Sequence, residues 1–423
     1  MSRGVFSSHN KVGETMSFQT NSSSATTFDP LVIFLSGNDR VSWDVGGSGY
    51  IAGNSLSYTY PDTGITKTVT LRTNKLNKLK TLQSVTDNLV GQLDLSGWVN
   101  LGGAFTIHSN PNLTGVTHSN STQVFTSYNV RTCNLIGNHD ISMFPNLGGG
   151  FYANSNTNLT GVTHTASTQV FSAYWINSCN ITGNYDVSMF SNLGGQFYTY
   201  SNPLLTSITH TASTQVFTNY RGYSCNLSGT HDVSMLTGLG GTFYLYNNPL
   251  LRYITHTAST EIFTSYNVSS CSLSGTHDVS MLTGLGGVLH TYSNINLLGV
   301  TFPISEETFQ NSSVDVFNSA FAMYGCDLNY VDFTPLSGIT MDVNSASGAS
   351  IYLNNNTMST SDVNHILSDF RDLTGSFTSK WSGVTLDIGG TNSAPDTTSG
   401  GHDGLGAINY LTGATAGWTI ITS

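Results

Sequence analysis

Residues 263–273 read FTSYNVSSCSL. Their apolar residues fall at the first, fourth, sixth, ninth and eleventh positions: Phe263, Tyr266, Val268, Cys271 and Leu273. The fourth and sixth residues share one face of a short strand, and the residue between them faces the other way. The spacing recurs in Phe125, Tyr128, Val130, Cys133 and Leu135, and again in Phe171, Tyr174, Ile176, Cys179 and Ile181. A further copy, Phe217, Tyr220, Gly222, Cys225 and Leu227, has glycine where an aliphatic residue is expected. The four cysteines lie 46 residues apart, as do His118, His164, His210 and His256, and the glycine pairs beginning at Gly102, Gly148, Gly194, Gly240 and Gly286. A fixed period of this length predicts one supersecondary unit stacked on copies of itself.

A second strand-like stretch lies between the cysteine stretches. It reads FTIHSNPNL at 105–113, FYANSNTNL at 151–159, FYTYSNPLL at 197–205, FYLYNNPLL at 243–251 and LHTYSNINL at 289–297. Each 46-residue unit is therefore two rungs, one closing on Asn and one on Cys, and those residues are expected to cap backbone groups where the chain leaves the strand. Weaker rungs extend both ends: Leu79, Leu82, Asp87 and Leu89 before, then Phe321, Met323, Cys326 and Leu328, then Ile351, Leu353 and Asn356. Terminal repeats are atypical because each must cover an exposed core. The expected total is about twelve or thirteen rungs.

Composition narrows the function. Of 423 residues only 9% are charged, 38% are hydrophobic and 11% aromatic, and the net charge is -11. Between Lys80 and Lys380 the positive charges are Arg131, Arg221, Arg252 and Arg371. Nucleic-acid binding needs basic patches, so that class is set aside. No apolar run is long enough to span a membrane, and residues 1–24 lack the apolar core of a secretory signal. A Ser/Thr/Asn-rich, charge-poor repeat is nevertheless expected to face an extracellular medium. A virion part released by lysis would reconcile the two.

The spacing resembles the leucine-rich-repeat family over about residues 69 to 390, with Phe and Tyr where Leu is usual. The resemblance implies a repeat solenoid, mainly β and right-handed, with a parallel sheet. The tail, from VNHILSDFRDL to the final GWTIITS, is similar to the closing segment of leucine-rich-repeat proteins of Bacteroidota and their phages. Residues 41–72, VSWDVGGSGYIAGNSLSYTYPDTGITKTVTLR, alternate apolar and polar positions between turn signals. Their W-D-x-G, Y-x-Y and T-V-T-L order resembles PKD-type Ig-like domains, which implies a small β-sandwich with Trp43, Tyr58, Tyr60, Val69 and Leu71 in its core. The expected organisation is an arm or anchor at 1–27, the sandwich at 28–73, the solenoid at 74–390 and a C-terminal cap at 391–423.

No constellation reads as catalytic. His139-Asp140, His231-Asp232 and His277-Asp278 repeat a dipeptide down a ladder, whereas an active site needs different roles converging on one point. Equivalent residues two rungs apart are about 10 Å from each other, too far to share a metal ion or to form disulfides. The five cysteines are read as buried core thiols. No cofactor is expected. The exposed strand face remains: Arg131 and Trp175, then Tyr198, Tyr200, Arg221, Tyr223, Tyr244, Tyr246, His290 and Tyr292. Tyr, Trp and Arg are typical of recognition surfaces, although tyrosine ladders also stabilise sheets by stacking. The expectation is a non-enzymatic recognition protein, a virion surface fibre or spike, with a bacterial cell-surface adhesin as the alternative. Its expected partners are virion or surface proteins held through residues 1–27, a protein or glycan receptor, and further copies of itself as a homo-oligomer.

Overall fold

The computed structural model describes residues 14–21, 27–28, 30–34, 41–47, 50–53, 55–59, 66–73, 78–301, 320–323, 326, 328, 350–376, 383–413 and 416–422. Two compact units divide the chain, Met1–Asn180 and Ile181–Ser423. Both are mainly β and built of stacked parallel coils.

In the first unit the parallel front strands are Leu79–Gln83, Gly103–Thr106, Phe125–Asn129, Gly149–Tyr152 and Phe171–Trp175, with Leu31–Phe34 antiparallel against Leu79–Gln83. Spatial order in the second sheet is Asn112–His118, Leu89–Leu95, Glu14–Asn21, Thr66–Thr73, Ser42–Val45 and Ile51–Ala52. Glu14–Asn21 falls inside the segment expected as an arm. It is a strand instead, paired antiparallel with Thr66–Thr73 along its whole length and with Leu89 and Val90 at its end. The alternation of Met16, Phe18 and Thr20, all buried, with exposed neighbours is the physical reason. Residues 1–13 lie outside the described residues, as does Tyr60 of the expected sandwich core; Trp43, Val69 and Leu71 are fully buried and Tyr58 is half-buried.

In the second unit the front strands are Leu193–Tyr198, Phe217–Arg221, Leu239–Tyr244, Phe263–Asn267, Leu285–His290, Ala320–Ala322, Ser350–Tyr352, Thr385–Asp387 and Thr419–Ile421. The weak rungs are present here: Met323, Ile351, Leu353 and Asn356 are each 0% exposed. Toward the C-terminal end lie α1 (Thr360–Ser376) and α2 (Gly404–Leu411), and Trp418 packs on Phe370 of α1 with ring centroids 5.4 Å apart. The final GW stretch leads into the last front strand, which pairs with Thr385–Asp387.

The inward aromatic residues stack along the coil axis. Phe105, Tyr128, Phe151 and Tyr174 follow one another at ring separations of 5.0, 5.7 and 4.9 Å. Phe197, Tyr220, Phe243 and Tyr266 do the same at 5.2, 5.3 and 4.9 Å. Offset aromatic pairs add about 0.5–1.5 kcal/mol each beyond area burial.

Each Asn closes its rung by bonding to the coil before it. Asn248 Oδ1 accepts from Leu227 N at 3.1 Å, and its Nδ2 donates to Gly222 O at 3.0 Å and Leu245 O at 2.6 Å. Asn156 and Asn294 repeat the pattern. The cysteines take the alternate rungs, with the Cys225 and Cys271 thiols directed at the carbonyl oxygens of Thr199 and Leu245 at 3.3 Å. All five are buried thiols. Gly222, the anomaly of the third cysteine rung, fits because Leu245, Thr199 and Leu227 fill the space its side chain would occupy.

Candidate functional site

Parallel register places the outward residues in columns. In the first unit Thr106, Asn129, Tyr152 and Trp175 are successive partners, and Tyr152 meets Trp175 edge to face at 4.9 Å. Arg131 stands beside this column, half-buried, and adds to the effect of burial in lowering the pKa of His108.

In the second unit one column runs Tyr198, Arg221, Tyr244, Asn267 and His290. Arg221 lies between two rings, its Cζ 5.1 Å from the Tyr198 centroid and 5.5 Å from that of Tyr244, within cation–π range on both sides. A second column two residues further on holds Tyr200, Tyr223 and Tyr246. The rings of Tyr200 and Tyr223 are 4.5 Å apart and 6° from parallel; those of Tyr223 and Tyr246 are 4.4 Å apart and 8° from parallel. His290 and Tyr292 pair at 5.4 Å. These residues are all half-buried.

Stacking along the sheet turns the aromatic faces toward each other, so the rings present their edges and hydroxyls outward. Burial first, then Tyr246 and Tyr200, push the Tyr223 hydroxyl up to about 12, and burial also raises Tyr198 and Tyr246. The Tyr198, Tyr223 and Tyr246 hydroxyls therefore keep their protons near pH 7, and Tyr223 and Tyr246 hydrogen-bond to each other.

The histidine ladders occupy the opposite side of the coils and hold a feature that spacing within each ladder does not reveal. The Tyr128 hydroxyl lies 2.7 Å from His118 Nε2 and 2.7 Å from His139 Nε2. Tyr220 is bracketed the same way by His210 and His231 at 2.7 and 2.8 Å, and Tyr266 by His256 and His277 at 2.8 and 2.9 Å. It is the two inequivalent series that converge, each on a tyrosine of its own repeat. The legible signal was the constant spacing, ten residues before the tyrosine and eleven after.

The hydroxyl has one proton, so it donates to one ring and accepts from the other. Nδ1 of His118, His210 and His256 is sealed with no partner among the described residues. We assign the Nε2–H tautomer to these three, donating to tyrosine, with tyrosine donating to His139, His231 and His277. Where a bridge sits, the flanking back strands belong to separate sheets: Asn112–His118 and Gly137–Asp140, Leu205–Thr209 and Ser228–Asp232, Leu250–Thr255 and Ser274–Asp278. Burial lowers His139, His231 and His277 to about 4.

In the His-Asp pairs, each carboxylate turns away from its histidine. Asp140, Asp232 and Asp278 accept from the backbone N–H of Ser142, Ser234 and Ser280 at 2.9 Å, which closes a turn. A cleft of about 260 Å³ near the first bridge is lined partly by Gln92, Asn138, His139 and Asp140, but its histidine and aspartate already hold Tyr128 and Ser142. Among the described residues no group of three or more His, Cys, Asp or Glu is placed to hold a metal ion, and no helix is long and apolar enough to cross a membrane. Compared with known proteins, the chain matches no family model and no curated protein.

Proposed function

We propose that this chain is a non-enzymatic recognition scaffold whose front face in the second unit binds a hydroxyl-rich ligand, a glycan on a cell surface. The observation that carries the reading is the column Tyr200–Tyr223–Tyr246, whose parallel stacked rings form a regular half-buried row along the sheet. Rigid tyrosines lose little entropy on binding and suit polar recognition. The finer fold identity, a right-handed leucine-rich-repeat solenoid preceded by a PKD/Ig-like β-sandwich, is part of the proposal. It rests on the residue spacing and on the asparagine and cysteine caps. The setting we favour is a virion surface appendage. A cell-surface adhesin is the second reading, favoured by a chain with only 9% charged residues.

The test separates recognition from stacking. The triple variant Y200F/Y223F/Y246F keeps the rings and removes the hydroxyls. Binding to a glycan array and to fixed bacterial cells should fall at least about tenfold, as expected when hydrogen-bonding anchors are lost, while Tm stays within a few degrees of the parent. Unchanged binding by the folded variant would overturn the reading.

A further inference from the structure

We propose that Arg221 is a carboxylate-binding point and that the ligand is an acidic glycan, a sugar chain carrying uronic- or sialic-acid-type carboxyl groups. This rests on the recognition reading above and adds the charge of the ligand to it.

Three observations support it. Tyr198 and Tyr244 lie on either side of the guanidinium, so a ligand approaches its in-plane edge. Nε of Arg221 is sealed with no partner among the described residues, which leaves the Nη1/Nη2 end as the edge toward solvent. Nη2 donates to Asn219 Oδ1 at 3.0 Å, which holds the fork in place. A planar fork of this kind matches a carboxylate through two parallel hydrogen bonds, a geometry that lysine does not reproduce.

The charge is also isolated. Among the described residues of this unit Arg371 pairs with Asp372 at 2.7 Å, whereas no carboxylate pairs with Arg221 or with the exposed Arg252; of those two, Arg221 is the one held between tyrosine rings. The chain's net charge of -11 repels anions generally, so an acidic ligand gains most at a cation that no carboxylate neutralises. The adjoining row of Tyr200, Tyr223 and Tyr246 supplies hydroxyl partners rather than an apolar pocket. The choice of a sugar chain over an acidic peptide follows from the glycan reading above, and the peptide probe below tests it.

The experiment uses the full chain and matched probes: oligogalacturonate against its methyl ester, sialyllactose against lactose, and a glutamate-rich peptide. The parent protein should bind at least one acidic sugar about tenfold more tightly than its neutral counterpart, with the difference shrinking as salt rises. R221Q should remove that difference, and R221K should restore only part of it. The comparison of acid with ester on the parent protein needs no variant, so it stands even if R221Q folds poorly. Equal binding of acid and neutral forms, with Y200F/Y223F/Y246F still inactive, would overturn the acidic ligand and leave the recognition face standing. Tighter binding of the peptide than of any acidic sugar would also overturn it. Failure of the parent to bind any sugar or cell would remove both readings.

Discussion

At the scale of single residues, the buried histidines make stability depend on acid. An unfolded histidine titrates near 6.5, whereas burial holds His231 and His277 near 4 and His210 near 3. Below pH 6.5 the unfolded chain takes up protons that the folded chain refuses. The contribution of each ring is therefore complete above that pH and is lost as pH falls toward 4, by about 1.4 kcal/mol per ring per pH unit. The second repeat supplies its own control: Tyr185 stands where the other copies have histidine and is buried at 4% exposure. His231→Tyr should therefore fold and lower the midpoint of acid unfolding. Proton uptake across the transition should drop by one. Circular dichroism against pH, with potentiometric titration, reads both; an unchanged uptake would show that His231 does not titrate with unfolding. The thiols behave in the opposite sense, since burial raises Cys225 and Cys271 to about 12. They should stay unreactive toward thiol reagents until the chain unfolds.

At the scale of the element, each coil depends on close backbone approach and on one polar cap. Gly241 has φ +59°, and a Cβ there would collide with the Thr218 carbonyl oxygen. Gly229 has φ +65° with open space around its Cβ position. Gly229→Ala should cost only the left-handed backbone strain, about 1–2 kcal/mol. Gly241→Ala adds a clash between neighbouring strands and should cost clearly more. Urea titration of the two variants checks the order, and a reversed order would show that close approach of the strands at Gly241 does not govern the cost. Asn248→Ala strips partners from Leu227 N, Gly222 O and Leu245 O together. At about 1–3 kcal/mol for a buried group left unpaired, a loss of at least about 2 kcal/mol is expected. Cys225→Ala, which removes only weak thiol contacts, should lose less.

At the scale of the whole chain, the N-terminal segment closes a sheet. Met16, Phe18 and Thr20 are buried, and Thr20 Oγ1 donates to Asp87 O at 2.6 Å. Removing residues 1–27 therefore uncovers Thr66–Thr73 and the end of Leu89–Leu95, leaving strand edges that invite aggregation. The truncated protein should be less soluble than the parent, and limited proteolysis should cut first between residues 28 and 95. A soluble truncation with unaltered Tm would show that Glu14–Asn21 adds nothing to the sheet.

The repeat itself was determined by the sequence: a period of 46 residues, inward positions such as Phe263 and Tyr266, and polar closers such as Asn248 and Cys271 are local pattern, and local pattern is what strand alternation and backbone satisfaction act on. The columns of Tyr198, Arg221 and Tyr244 were legible for the same reason, since a fixed repeat length sets the register. Only the tertiary structure decided three things. Glu14–Asn21 becomes a strand because partners 45 and more residues away satisfy its backbone. The tyrosine rings turn edge-out because stacking between rungs sets their rotamers. His210, Tyr220 and His231 meet because a front strand and two back strands bring their side chains to one point. Side chains from different strands converge through packing, and spacing along a single ladder does not encode that.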